Sequence, residues 1–331
     1  MAAVSAAAHF IVGSGGGMRL ISAVSTPAAL TEAAFSRRSF LGGVALASTA
    51  AVLSRPTTAT AADSAPTALP DLARSSAMKL GMVTYNLGKD WDIPTLIKNC
   101  REAKFQGVEL RTTHAHKVEV NLSGPERAEV RRRFADSPIE LFSLGSAFDY
   151  HTPDAAKLRA DIEESKRYLQ LARDVGATGI KVRPNGLPKE VPVEKTLAQI
   201  GRSLEELGRT AADLDLYVRL EVHGAETQLL PNIKTILDHA PSPRVKACWN
   251  SNPTDVSGAG MDANFALVQA RIGEVHLRDL YLTDYPFRRL FELLQASGYR
   301  GYTLAEIPES PDPVRVMRYF RSLWLAYQNL L

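Results

Sequence analysis

The chain has 331 residues, 45% hydrophobic and 23% charged, enough to bury a large core and too apolar for a disordered polypeptide. Its formal charge of +3 arises wholly within residues 1–61, where Arg19, Arg37, Arg38 and Arg55 face Glu32 alone. The remainder is formally neutral and offers no footprint for a nucleic-acid backbone, so no nucleic-acid partner is expected.

In chain order, Ser36-Arg37-Arg38-Ser39-Phe40-Leu41 precedes the uncharged apolar run Gly42–Leu53, and Ala59-Thr60-Ala61 supplies small residues ahead of Ala62. This layout matches a twin-arginine export signal. It predicts a leader over 1–61, a Pro/Ala/Ser linker over 62–77, and a mature protein that works in the periplasm. The apolar run is short for a bilayer crossing, so no stable membrane span is expected.

From Met78 onward, short β-branched runs alternate with amphipathic stretches. Strands are expected at Lys79–Tyr85, Gly107–Arg111, Pro138–Leu144 and Gly179–Arg183, then at Tyr217–Val222, Val245–Trp249, Gly273–Leu277 and Tyr302–Ile307. The intervening helices are Ile93–Lys104, Gly124–Ala135, Pro153–Val175, Val193–Leu214, Leu230–His239, Met261–Arg271, Pro286–Ser297 and Pro311–Leu330. Eight strand–helix pairs in this length are the rhythm of a single (β/α)8 TIM barrel over 78–331. A doubly wound open sheet would want a glycine-rich phosphate turn after the first strand, which Tyr85-Asn86-Leu87-Gly88 does not supply. The two cysteines, Cys100 and Cys248, have neither zinc-type spacing nor disulfide density and read as small buried side chains.

Barrel chemistry gathers at the C-terminal ends of the strands. There the fifth to eighth strands carry Glu221, Asn250, His276 and Glu306. Two glutamates inside apolar strands demand a cation, and a metal beside a histidine supplies one. Mixed oxygen and nitrogen donors suit one divalent ion: Mn²⁺, Mg²⁺, Co²⁺ or Zn²⁺. Lys181 and Arg183 share a face at the end of the fourth strand, placed to bind a substrate hydroxyl, carboxylate or phosphate, or to pair with Glu221. His223, two residues after Glu221, points to substrate contact. Asn252 and Arg278 are expected at the rim, and His114, His116 and His151 beside the pocket after the second and third strands.

The Glu, amide, His, Glu order on strands five to eight resembles the xylose isomerase-like barrel family, known broadly as sugar phosphate isomerases and epimerases. The resemblance runs from Met78 to the C-terminus. Lys181-Val182-Arg183-Pro184-Asn185-Gly186 and the stretch from Trp249 to Thr254 are similar to an exported bacterial subgroup. The resemblance implies that Glu221, Asn250, His276 and Glu306 occupy the metal-ligand positions. Two departures matter. The family usually has Asp where this chain has Asn250, and Leu277-Arg278-Asp279 after His276 is not the ketose 3-epimerase pattern.

The expected function is a metal-dependent sugar isomerase or epimerase, with Glu221 and Glu306 moving a proton next to a carbonyl through an enediolate. The expected partner is a small sugar or keto-sugar, and oligomerisation is left open. One rival keeps the metal site but ends in elimination, a lyase or dehydratase of a keto-sugar or keto-glycoside. A second rival is a non-catalytic sugar-binding barrel. A third, a DNA-repair endonuclease on the same barrel, would need more histidine and aspartate ligands and a basic surface.

Overall fold

The computed structural model describes residues 76–331. The expected export leader, and the linker up to residue 75, lie outside the described residues. Eight parallel strands are β1 (Lys79–Val83), β2 (Gly107–Arg111), β3 (Glu140–Gly145), β4 (Gly179–Val182), β5 (Tyr217–Glu221), β6 (Val245–Asn250), β7 (Ile272–Leu277) and β8 (Tyr302–Ala305). Each is followed by one of the helices α1 (Ile93–Ala103), α2 (Gly124–Ala135), α3 (Ala155–Val175), α4 (Val193–Asp213), α5 (Leu230–Asp238), α6 (Met261–Val268), α7 (Phe287–Ala296) and α8 (Pro313–Tyr327). The strands close in sequence order, with β8 pairing β1 from Lys79↔Tyr302 to Met82↔Ala305. The expected single barrel is therefore observed.

Local signals explain several of these elements. The Asp92 carboxylate accepts the Thr95 N–H at 2.9 Å, and Lys104 in the left-handed conformation (φ 59°) ends α1. Asp154 caps α3 through the N–H groups of Ala156 and Lys157, at 2.9 and 3.1 Å. The strands are buried on both faces because helices cover them outside and side chains fill the lumen. Among the described residues, no helix is long and apolar enough to cross a membrane.

Two extra residues adjust the ladder. Between β2 and β3 the pairing moves from Val108↔Leu141 to Glu109↔Ser143, leaving Phe142 unpaired. Between β6 and β7 it moves from Ala247↔Ile272 to Cys248↔Glu274, which then sets Asn250 beside His276. Phe142 reaches across the lumen to Tyr302, with ring centroids 4.5 Å apart, and its face carries the Arg219 guanidinium at 4.3 Å. With Val83 and Leu304 these rings form a small apolar plug distinct from the larger core between barrel and helices. The plug is the floor on which the polar mouth rests.

Candidate active site at the barrel mouth

A cavity of about 380 Å³ opens at the C-terminal end of the barrel. Lys181, Arg183, Glu221, His223, Asn250, Asn252 and Glu306, all singled out in the sequence, line it. Tyr85, Asn86, Arg111 and Gln228, which were not, complete the wall. The four residues taken from strands five to eight are not level along the ladder. Glu221 pairs with Cys248, Asn250 with His276, and His276 with Leu304. Strand tilt produces that stagger, and the side chains converge despite it.

At the centre, oxygens of Glu221 and Glu306 and a nitrogen of His276 all lie within 4.8 Å of one another. His276 Nδ1 stands 3.9 Å from Glu221 Oε1 and 3.6 Å from Glu306 Oε2. It is buried and has no hydrogen-bond partner among the described residues. The other ring nitrogen, Nε2, is held 2.9 Å from Glu274 Oε1. A carboxylate behind the imidazole fixes the ring so that its free nitrogen faces the two glutamates, the arrangement that metal-binding histidines use. Donors about 4 Å apart or less can share one ion at ordinary bond lengths of roughly 2.0–2.2 Å. Glu221, His276 and Glu306 thus fit a divalent cation. Asn250 donates its amide to Glu221 Oε1 at 3.3 Å, which places its side chain beside the same point.

The electrostatics are unequal. Lys181 and Glu221 form an ion pair of 2.6 Å with only 3% and 4% of their side chains exposed. Burial pushes the Glu221 carboxyl up, but Lys181 and His276 outweigh it and hold its pKa down at about 2. Burial works against the charged form of Lys181 too, and Glu221, Glu109 and Glu306 overcome it and keep the ammonium firmly protonated. For His276, burial favours the neutral ring, while the carboxylates of Glu274 and Glu306 raise its proton affinity well above the ordinary value. Nδ1 is therefore where a proton and a cation compete.

Below this layer Glu109 and Glu274 are wholly buried. Burial and repulsion by Glu274 push Glu109 up to about 8. For Glu274, burial is offset by His276 and Arg219, which keep it below the usual carboxylate range. Cys248 also borders His276 and Glu274, but burial raises its thiol far above its usual range, so it remains a protonated, poorly ligating sulfur. Gly145 makes room for this cluster, since a Cβ there would lie 2.5 Å from Glu109 Oε1.

His223 lies half-buried in the cavity wall, and desolvation lowers its pKa, so it is neutral near pH 7. Its Nδ1 has no hydrogen-bond partner among the described residues. Asn252 donates its amide to Val222 O at 2.6 Å and its N–H to Asp255 at 3.1 Å. Gly224 turns the chain after His223 at φ +93°, where a Cβ would come within 2.6 Å of the Asn185 backbone.

Four predicted contacts lie off the cavity wall. His116 donates Nε2–H to Arg111 O at 2.8 Å and accepts the Val118 N–H on Nδ1 at 3.0 Å, so both nitrogens hold the β2 loop. His114 Nδ1 is 3.0 Å from Thr84 Oγ1, and His151 Nδ1 is 3.1 Å from Asp149. Arg278 donates to Ser251 O at 2.8 Å and to Asp284 at 3.3 Å. Sequence reading missed Arg111, the last residue of β2, and Glu109 and Glu274, each one alternation below a mouth residue. That period-two signal is present in Glu109-Leu110-Arg111 and Glu274-Val275-His276.

A closed (β/α)8 barrel with carboxylates and an imidazole converging at its mouth defines the class of protein. Residues 97–323 match the xylose isomerase-like TIM barrel family, and the chain belongs to it. No curated protein sequence matches the chain. Among solved structures, the 3-keto-D-glucoside 4-epimerase YcjR from E. coli is similar over 75% of this chain and 99% of its own, with 18% identity and a TM-score of 0.63. An L-ribulose 3-epimerase is similar over 76% of this chain and 95% of its own, at 15% identity and a TM-score of 0.65. The IolI protein with a bound zinc atom covers 77% of this chain and 99% of its own, at 13% identity and a TM-score of 0.64. At these identities the likeness is one of fold.

Proposed function

We propose that the barrel catalyses a metal-assisted proton transfer at the carbon next to the carbonyl of a sugar or sugar-like polyol, epimerising or isomerising it. The observation that carries this reading is the convergence of Glu221, His276 and Glu306, with His276 Nδ1 unpartnered and its ring fixed from behind by Glu274. The structural similarity to two sugar epimerases and to a protein with bound zinc supports it.

A divalent ion held by Glu221, His276 and Glu306 would polarise the carbonyl and stabilise the negative charge that develops beside it. The two glutamates divide the remaining work. Glu221 is held ionised by Lys181 and is a weak base, so its part is to stay charged and to keep Lys181 in place. Among the described residues, Glu306 has no lysine or arginine within ion-pair distance, and its side chain is 20% exposed. It removes the proton and, for isomerisation, returns it to the adjacent carbon; for epimerisation the opposite face needs a second donor, and Lys181, beside Glu221 in the cavity lining, is the protonated group available for it. His223, neutral and with a free ring nitrogen, binds a substrate hydroxyl.

The test is deuterium uptake. Mn²⁺-loaded protein is incubated in D₂O with D-fructose, L-ribulose and a 3-keto-glucoside, and NMR follows the carbon next to the carbonyl. Label appears with the wild type and is absent with Glu306→Gln; no label from any of the three rejects the reading. Release of the aglycone instead of labelled sugar would establish the elimination chemistry. Export belongs to the same proposal, resting on Arg37-Arg38 and the apolar run behind them, and cell fractionation with Arg37→Lys/Arg38→Lys tests it.

A further inference from the structure

We propose that the substrate of this site carries an anionic group, a carboxylate or a phosphate, held between Arg111 and Arg183. The proposal rests on the proton-transfer reading above and names the substrate class for it. Three cations line the cavity: Arg111, Lys181 and Arg183. Lys181 is committed to Glu221 at 2.6 Å. The two arginines are not committed. No carboxylate of the described residues lies within ion-pair distance of either, whereas Arg219 and Arg278, also on the strands or just beyond them, both have acidic partners.

Hydrogen bonding leaves the same surplus. Among the described residues, Arg111 donates from its side chain only to Thr112 O, at 3.4 Å. Arg183 donates only to Ala147 O, also at 3.4 Å, and its buried Nε has no acceptor. A guanidinium presents five N–H donors in a planar fork, so most of the donors on this wall are unused. Such forks match carboxylate and phosphate oxygens in pairs.

Placement adds direction. β2 and β4 flank β3, across the closed barrel from β6 and β8, which carry Asn250 and lead to Glu306. A ligand with its carbonyl at Glu221, His276 and Glu306 therefore extends its far end towards the arginines. The cavity of about 380 Å³ is in the range of small-molecule sites. Its lining carries three fixed cations against two carboxylates, and a divalent ion would enlarge that excess. A neutral sugar would leave both guanidinium groups uncompensated at the moment water is expelled. An anion at the far end removes that cost.

The experiment uses one sugar scaffold with three groups at carbon six. Calorimetric titration of the Mn²⁺-loaded protein compares D-fructose, D-fructuronate and D-fructose 6-phosphate. At least one anion is expected to bind about ten-fold tighter than D-fructose, with an advantage that falls as salt rises. Whichever binds tighter identifies carboxylate or phosphate as the group. Arg111→Gln and Arg183→Gln should each shrink the anion's advantage by about three-fold, and the double variant should abolish it. Equal binding of all three sugars, or an undiminished advantage in the double variant, overturns the proposal. The two readings fail separately. Deuterium uptake without anion preference leaves proton transfer standing and removes the clamp. Anion preference without deuterium uptake does the reverse.

Discussion

On the β5–β8 side of the mouth, Glu221, His276 and Glu306 turn two carboxylates and an imidazole onto one point, whereas on the β2–β4 side Arg111, Lys181 and Arg183 bring three cations. The two sides also differ in how firmly they are held. Glu274 fixes His276 from behind, and Lys181 reaches across from β4 to pin Glu221. Among the described residues, the side chains of Arg111 and Arg183 have only single hydrogen bonds of 3.4 Å, to backbone carbonyls. The acidic side is built in advance and the basic side is left to be completed by a ligand, which suits chemistry on one side and recognition on the other.

The largest expected effect breaks that division if it fails. Glu306→Gln should lower turnover by about 10²–10⁴-fold, read as deuterium uptake, because it removes the glutamate free to move a proton. Residual activity near wild type would return the acidic side to a structural role. The next effect concerns the link between the sides. Lys181→Met leaves Glu221 buried without its cation and should cost about 3–5 kcal/mol in denaturant unfolding, with much of the loss recovered in Lys181→Met/Glu221→Gln. If the double variant is no more stable than the single, the pair is not the joint between the two sides. Glu274→Gln should weaken Mn²⁺ binding by about 10–100-fold while leaving the cavity wall intact, measured by titration of the ion.

The smallest effect is a pH dependence with two opposite signs. Glu221, held down at about 2, contributes stability that is present above the ordinary carboxylate range and is lost as pH falls towards 2. Glu109, pushed up to about 8, contributes stability that is full below the ordinary carboxylate range and is lost as pH rises through 8. Glu109→Gln should therefore raise the Tm at pH 8 by on the order of 5 °C and change it little at pH 4. An unchanged profile between pH 5 and 9 would show that Glu109 is not the group responsible.

The sequence made the fold legible because each strand and helix has its own local signal. β2 and α2 fall where alternation and helical spacing place them, and most other boundaries move by one or two residues. The departures have causes of two kinds, one tertiary and one local. α6 was expected to run to Arg271 but ends at Val268, with Gln269–Arg271 tightened into a 3-10 turn. There the Arg271 guanidinium donates to the carbonyls of Ala240, Ser242 and Val245, bonds that no local pattern encodes. β3 begins at Glu140 rather than Pro138, since proline has no N–H for the ladder and Ser137 Oγ takes the Ile139 N–H at 3.1 Å.

The site was legible in part. Charged residues at strand ends led to Glu221, Asn250, His276 and Glu306, which converge, and to Lys181, Arg183, His223 and Asn252, which line the cavity. His114, His116, His151 and Arg278 were drawn in by loop position, and sequence does not reveal which way a loop side chain turns. Arg111, Glu109 and Glu274 are not singled out by sequence, because a lone charge in a strand reads the same whether it faces the lumen or the helices, and only the closed barrel decides between them.

Gly224 joins the two sides in another way. Its bare backbone lets the turn after β5 rest directly on Asn185 in the turn after β4. Arg183 opens one of these turns and Glu221 ends the strand that leads into the other, so the two side chains are set by turns in direct contact. A descendant of this chain that needed a longer reach for its arginine would have to rebuild both turns together. Substrate range and chemistry are in that sense inherited as a single unit along this seam.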